Sequence, residues 1–188
     1  MLAGADTIAI AQKAILYWIL KNPEVHRKLV AELDAAKLPF PAPYNLVKSL
    51  PYLDACVKEG LRIHPGVGQV VERVVPAGGL TLDNGTVLPP GTNVGMNPWV
   101  LHFNEDPFGE KPDEFRPERW LQGPDESDEE YEVRIHKMKD ADFSFGMGSR
   151  ICLGKWIALM ELYKVTATMF SRYDVSDFNV LSRDLAMY

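Results

Sequence analysis

Phe143-Ser144-Phe145-Gly146-Met147-Gly148-Ser149-Arg150-Ile151-Cys152-Leu153-Gly154 is the stretch on which the reading of this chain turns. Its glycines tolerate φ > 0 and carry no side chain, so the backbone can bend tightly and approach a flat ligand closely. Cys152 sits where the loop is predicted to become a helix, and backbone N–H groups at a helix start can stabilise an anionic sulfur. A sulfur held over such a loop is a metal ligand or a nucleophile, and the metal reading is the better one. The competing reading is a glycine-rich turn followed by a helix, with a buried and inert cysteine.

The rest of the chain bounds that reading. At 188 residues it is long enough for one sizeable core, and 46% hydrophobic with 24% charged residues is ordinary for a globular domain. A formal net charge of −6 without a Lys/Arg-rich run argues against nucleic acid as a partner. Two cysteines, Cys56 and Cys152, cannot make a disulfide framework, and His26, His64, His102 and His136 lack metal-ligand spacing. His102 and a buried Cys56 are read as structural. Neither a secretory signal nor an uninterrupted membrane span is visible.

Along the chain, residues 2–20 are almost wholly apolar or small, which predicts a buried helix. Asn22-Pro23-Glu24 supplies a cap residue, a proline at the first helical position and an early acid. The helix it opens carries Val25, Leu29 and Leu33 on one face. Pro39, Pro41 and Pro43 mark a loop. Pro51 opens a helix with Leu53, Val57 and Leu61 on one face and Glu59 and Arg62 three apart on another; Pro65 and Gly66 end it. From residue 68 to 97, β-branched runs alternate with turn signals such as Asp83-Asn84-Gly85, predicting a small antiparallel sheet. Residues 98–120 read as irregular. The acidic run at 123–142 reads as a solvated, mobile loop, and 153–171 as a long buried helix. The fold class expected is mainly α with a small antiparallel β-sheet.

The cysteine stretch resembles the haem-binding signature of the cytochrome P450 superfamily, Phe-x-x-Gly-x-Arg-x-Cys-x-Gly. Phe145, Gly148, Arg150, Cys152 and Gly154 occupy all of its fixed positions. The resemblance implies haem b with an axial thiolate from Cys152. Four further segments match in the family's order. Ala3-Gly4-Ala5-Asp6-Thr7 resembles the oxygen-activating segment, which assigns Asp6 and Thr7 to proton handling; taken alone, Asp-Thr is equally a helix cap. Glu59-Gly60-Leu61-Arg62 resembles the Glu-x-x-Arg pair, and Pro117-Glu118-Arg119 the segment whose arginine, Arg119, completes that network as structural support. On an arbitrary helix, Glu-x-x-Arg is most often a solvated surface pair. Arg73, in Glu72-Arg73-Val74, resembles a propionate-binding arginine, as does Arg150; the alternative for Arg73 is an exposed strand residue. Residues 103–120 resemble the meander that precedes the cysteine loop. Val67, Val70 and Val71 line a substrate pocket or form strand core. The wording around these motifs is most similar to fungal members of the pisatin-demethylase type.

What the resemblance implies is a partial domain, residues 1–188, comprising the C-terminal, haem-binding portion of the P450 fold. The earlier helices, the substrate roof and the membrane anchor are expected to be missing, and the apolar surface that packs against them exposed. The implied reaction inserts one atom of O2 into a small, apolar organic substrate, with electrons from an NADPH-cytochrome P450 reductase. The implied location is the endoplasmic reticulum membrane for a full-length member and is open for this chain. The alternative is a truncated, non-catalytic remnant that binds haem weakly or not at all.

Overall fold

The computed structural model describes residues 2–175, with side chains described from residue 4. Four helices make the main body: α1 (Leu2–Lys21), α2 (Pro23–Ala36), α4 (Pro51–Ile63) and α8 (Lys155–Arg172). Their shared core is aliphatic, with Ile15, Ile19, Leu29, Leu33, Leu53, Val57 and Leu162 fully or almost fully buried. A short helix α3 (Tyr44–Val47) interrupts the proline loop and packs on α8.

Local chemistry accounts for the helix ends. Pro23 and Pro51 each stand in the first turn, where a missing N–H costs nothing. Asn22 does not cap α2 with its side chain; its amide instead donates to the Trp18 carbonyl at 2.7 Å. Helix α4 is capped from a distance. The Glu32 carboxylate of α2 accepts from the Tyr52 and Leu53 amides, both at 2.8 Å, and so places a negative charge at the positive end of α4. That contact fixes α4 against α2. Gly60 is required on the opposite side, because an added Cβ would lie 2.5 Å from Ile15 Cγ1 and 3.2 Å from its Cα.

The predicted antiparallel strands form, as two separate pairs. Strand β1 (Val71–Val74) pairs with β4 (Asn93–Met96), setting Arg73 opposite Val94, and β2 (Leu80–Thr81) pairs with β3 (Val87–Leu88). Residues 98–120 hold two short helices, α5 (Pro98–His102) and α6 (Glu105–Phe108), and a 3-10 turn, Pro117–Trp120.

Three expectations need correction. The acidic run is largely a helix, α7 (Asp128–Ala141), opened by a capping box in which Ser127 and Glu130 bond each other's backbone N–H. Its acids crowd the first turn, where the helix dipole favours them, and Ile135 and Met138 bury one side against Phe108 and Trp120. Helix α1 is buried only in its second half; Ala5, Asp6, Thr7, Ala9 and Ile10 are exposed. Helix α8 is likewise one-sided, burying Leu162, Ala167 and Phe170 while Trp156 and Ile157 stay 71% and 60% exposed. Among the described residues no helix is long and apolar enough to cross a membrane.

Gly60→Ala is expected to destabilise the chain by about 1–3 kcal/mol through overpacking against α1. Chemical denaturation followed by circular dichroism checks it, and a change within about 0.5 kcal/mol would mean α1 does not sit where the close approach requires.

Candidate functional site: a cysteine loop braced by a buried carboxylate

Glu59 and Arg62 lie one helical turn apart on α4, and neither has any exposed surface. Arg62 grips the carboxylate with both ends of its fork, Nε to Oε2 at 2.9 Å and Nη2 to Oε1 at 2.8 Å. Arg119, from the 3-10 turn, adds Nε to Oε1 at 2.7 Å. Two further donors come from residues the sequence reading did not single out: the Trp120 indole N–H at 2.8 Å and the Arg116 amide at 3.0 Å. The signal for Trp120 was its place directly after the Pro-Glu-Arg segment. Burying such charges is tolerable only when their hydrogen-bonding capacity is met. Here the second guanidinium's excess charge is spread over backbone carbonyls. Arg62 donates to those of His102 at 2.7 Å and Glu114 at 3.3 Å, and Arg119 to those of Phe108, Lys111 and Glu114. Burial pulls the Arg119 pKa below its ordinary value, with the Glu59 charge opposing.

Two other groups clamp the same turn. Arg134 of α7 bonds the Glu126 carboxylate at 2.6 and 2.8 Å and donates to the Arg119 and Leu121 carbonyls. Glu118 accepts from Lys28 at 2.7 Å and from the Tyr52 hydroxyl at 2.8 Å.

The cysteine loop hangs from this assembly. Residues 143–146 are half-buried, with Phe145 packed on the main core, and the remainder of the loop is exposed. Gly146 and Gly148 both have φ of 69°, a left-handed conformation that strains any side chain. The bends return the chain so that the Cys152 amide donates to the Phe145 carbonyl at 2.9 Å. Gly154 follows the sulfur closely in space, an added Cβ there standing 3.9 Å from Cys152 Sγ, an ordinary contact distance. Cys152 is exposed and Cys56 is buried; burial, aided by Glu118, Glu32 and Glu59, pushes the Cys56 thiol well above its ordinary range. Of the two thiols, only that of Cys152 is therefore accessible.

Arg150 closes the 3-10 turn Gly148–Arg150 two residues before that sulfur, and its side chain is exposed. Arg73 is also exposed, with Nη1 on the Glu72 carbonyl at 2.7 Å. Asp6 and Thr7 are exposed on the first turns of α1, beside the segment that follows α4; a Cβ at Gly66 would lie 3.7 Å from the Thr7 carbonyl. Val67 and Val70 are about half exposed, so they are not strand core. Gly68 lets that segment press on Trp99, whose Nε1 would be 1.9 Å from an added Cβ.

The donor set fits a flat, apolar, anionic-edged metal cofactor. One thiol is exposed, apolar Met147, Ile151 and Leu153 of the same loop are exposed with it, and space is open at Gly148, where a Cβ would meet nothing within 4 Å.

Comparison with known proteins gives the family. The sequence pattern of the cytochrome P450 family matches residues 1–181. A cytochrome P450 monooxygenase, cfoH, from Aspergillus candidus is 46% identical over 173 residues, covering 92% of this chain and 32% of that protein. A second, from Aspergillus terreus, is 47% identical over 178 residues, 93% of this chain and 35% of its own length. The pisatin demethylase of Fusarium vanettenii is 40% identical over 173 residues, again 92% and 32%. The chain thus spans about a third of the length of the curated relatives it matches. With a match over nearly its whole length, the chain belongs to the cytochrome P450 family.

Proposed function

We propose that this chain supplies the haem-thiolate platform of a monooxygenase acting on a small, apolar organic substrate. The observation that carries the reading is the exposed Cys152 sulfur on a glycine-bent loop anchored to a fully satisfied buried charge cluster. When bound, haem b supplies the activation of O2, one atom entering the substrate and the other leaving as water after two electrons arrive from an NADPH-cytochrome P450 reductase.

The chain's own residues hold and shape that centre. Cys152 would hold the haem iron through its sulfur, and Gly146 and Gly148 give the loop the left-handed bends that bring that sulfur to the surface. Phe145, packed on the core beneath, fixes the height of the loop. Arg150 and Arg73 neutralise the cofactor's carboxylates, a task suited to a guanidinium that stays charged and binds in a fork. Asp6 and Thr7, exposed beside the Gly66 segment, pass protons from solvent toward the substrate side. Glu59, Arg62 and Arg119 touch none of these groups; they hold the meander and, through it, the loop. The endoplasmic reticulum membrane is the proposed location.

The chain reconstituted with haem, reduced and treated with carbon monoxide, is expected to give a thiolate-type Soret band, and Cys152→Ser to lose it while keeping the helical circular dichroism. Folded protein that takes up no haem would overturn the platform reading in favour of a non-catalytic remnant. Arg119→Ala is expected to lower unfolding free energy by about 3–5 kcal/mol, the cost of breaking a buried charge network, and to reduce haem uptake in proportion. Denaturant unfolding and haem titration read the two effects. Unchanged uptake with lost stability would remove the bracing role from Arg119.

A further inference from the structure

The charge cluster and the cysteine loop are joined by one imidazole. His102, at the end of α5, has no exposed surface, and each ring nitrogen makes one hydrogen bond. Nδ1 lies 2.8 Å from the Arg62 carbonyl oxygen, and the Phe143 amide nitrogen lies 2.9 Å from Nε2. A carbonyl can only accept and an amide N–H can only donate, so Nδ1 carries the proton and Nε2 is the bare acceptor. The partners thus select one neutral tautomer. The backbone of His102 is tied into the same structure, since its carbonyl accepts from Arg62 Nη1 at 2.7 Å. Phe143 is the first residue of the cysteine loop.

The charged groups around the ring are Arg62 and Glu59 from α4 and Asp142 from the turn after α7; the ring of Phe108, from α6, packs edge-on at 5.8 Å. Asp142 Oδ1 stands 3.6 Å from Nε2, on the side of the Phe143 amide. It already accepts from the Ser144 amide at 3.0 Å and from the Ser144 hydroxyl. Burial disfavours the imidazolium and outweighs Asp142, which favours it, so the pKa of the ring is lowered.

We propose that His102 is a proton-sensitive positioning residue for the cysteine loop: neutral, it ties the Phe143 amide to the backbone of Arg62, and on taking a proton from solvent at Nε2 it can no longer accept that bond and turns to Asp142. Two bonds at the base of the loop are then loosened, the Phe143 amide directly and the Ser144 amide by competition for Asp142. The folded ring holds a proton less tightly than an unfolded imidazole does. Its stabilising effect is therefore complete above the ordinary value of about 6.5 and declines as pH falls below it towards the lowered value of the folded ring. This goes beyond the proposed function and does not depend on it, because the bond at stake involves no cofactor.

The test is amide hydrogen exchange on the full chain by nuclear magnetic resonance, with each rate divided by its intrinsic rate at the same pH and the His102 ring titration followed in parallel. The protection of Phe143 is expected to fall about tenfold as the ring titrates, the loss of one hydrogen bond, while amides in α2 and α8 keep theirs. His102→Gln places a non-titrating acceptor near Nε2 and is expected to keep Phe143 protected with no pH dependence. His102→Asn reaches only the position of Nδ1, and Phe143 is expected to be unprotected at every pH. Equal protection in the Asn and Gln variants overturns the proposal. So does a wild-type profile that stays flat while the ring titrates, or a ring that does not titrate before the chain unfolds; these wild-type outcomes decide the matter even if neither variant folds. None of these readings uses haem, so failure here is distinct from failure of the platform.

Discussion

The carboxylate of Glu59 is the constraint on which the rest depends. It accepts five hydrogen bonds, from two guanidiniums, an indole and a backbone amide, with no exposed surface of its own. Two buried cations facing one anion would repel each other if the anion were absent, and the carbonyls that receive their remaining N–H groups come from an irregular stretch with little apolar core of its own. The cluster therefore does more to specify a conformation than to stabilise one. Replacing it with apolar side chains of similar volume would leave residues 102–120 without partners to choose among their possible paths.

From that point the structure is built outward in steps. The aliphatic core sets α4 against α1, α2 and α8, with Glu32 at the N-terminus of α4 and the close approach of Gly60 to Ile15 fixing its position. Helix α4 presents Glu59 and Arg62, these choose the path of the meander, and the backbone of Arg62 holds His102, at the end of α5, against the base of the cysteine loop. Beyond Phe145 the loop has little packing and relies on its own backbone bonds and two left-handed glycines. An active loop on such a support gains accuracy at its base and freedom at its tip.

Much of this was legible in residue order. The proline at the start of α4 and the spacing of Leu53, Val57 and Leu61 predicted its start and one buried face, because these are local properties, while the burial of Ala55, Cys56, Glu59 and Arg62 on its other sides came from packing. The acidic run misled for an equally physical reason. Charge density suggests a solvated loop, yet acids in a first turn are favourable, and Ser127 with Glu130 was a capping box in plain view. Helices α1 and α8 misled in the other direction. A largely apolar composition does not tell which faces find a neighbour, and in the described residues much of each helix stays exposed.

By itself the sequence determined the family, through the order and spacing of its motifs, and it determined the four long helices α1, α2, α4 and α8 of the main body, through prolines and apolar patterning. Only the tertiary structure decided which charges are buried together. Glu59 lies 60 residues from Arg119, and no local rule distinguishes their pair from a solvated one. It also decided that the Cys152 sulfur stands exposed, and that His102 links Arg62 to Phe143. Burial and proton position depend on what packs around a group from distant parts of the chain, and that is information the order of residues holds only once it is folded.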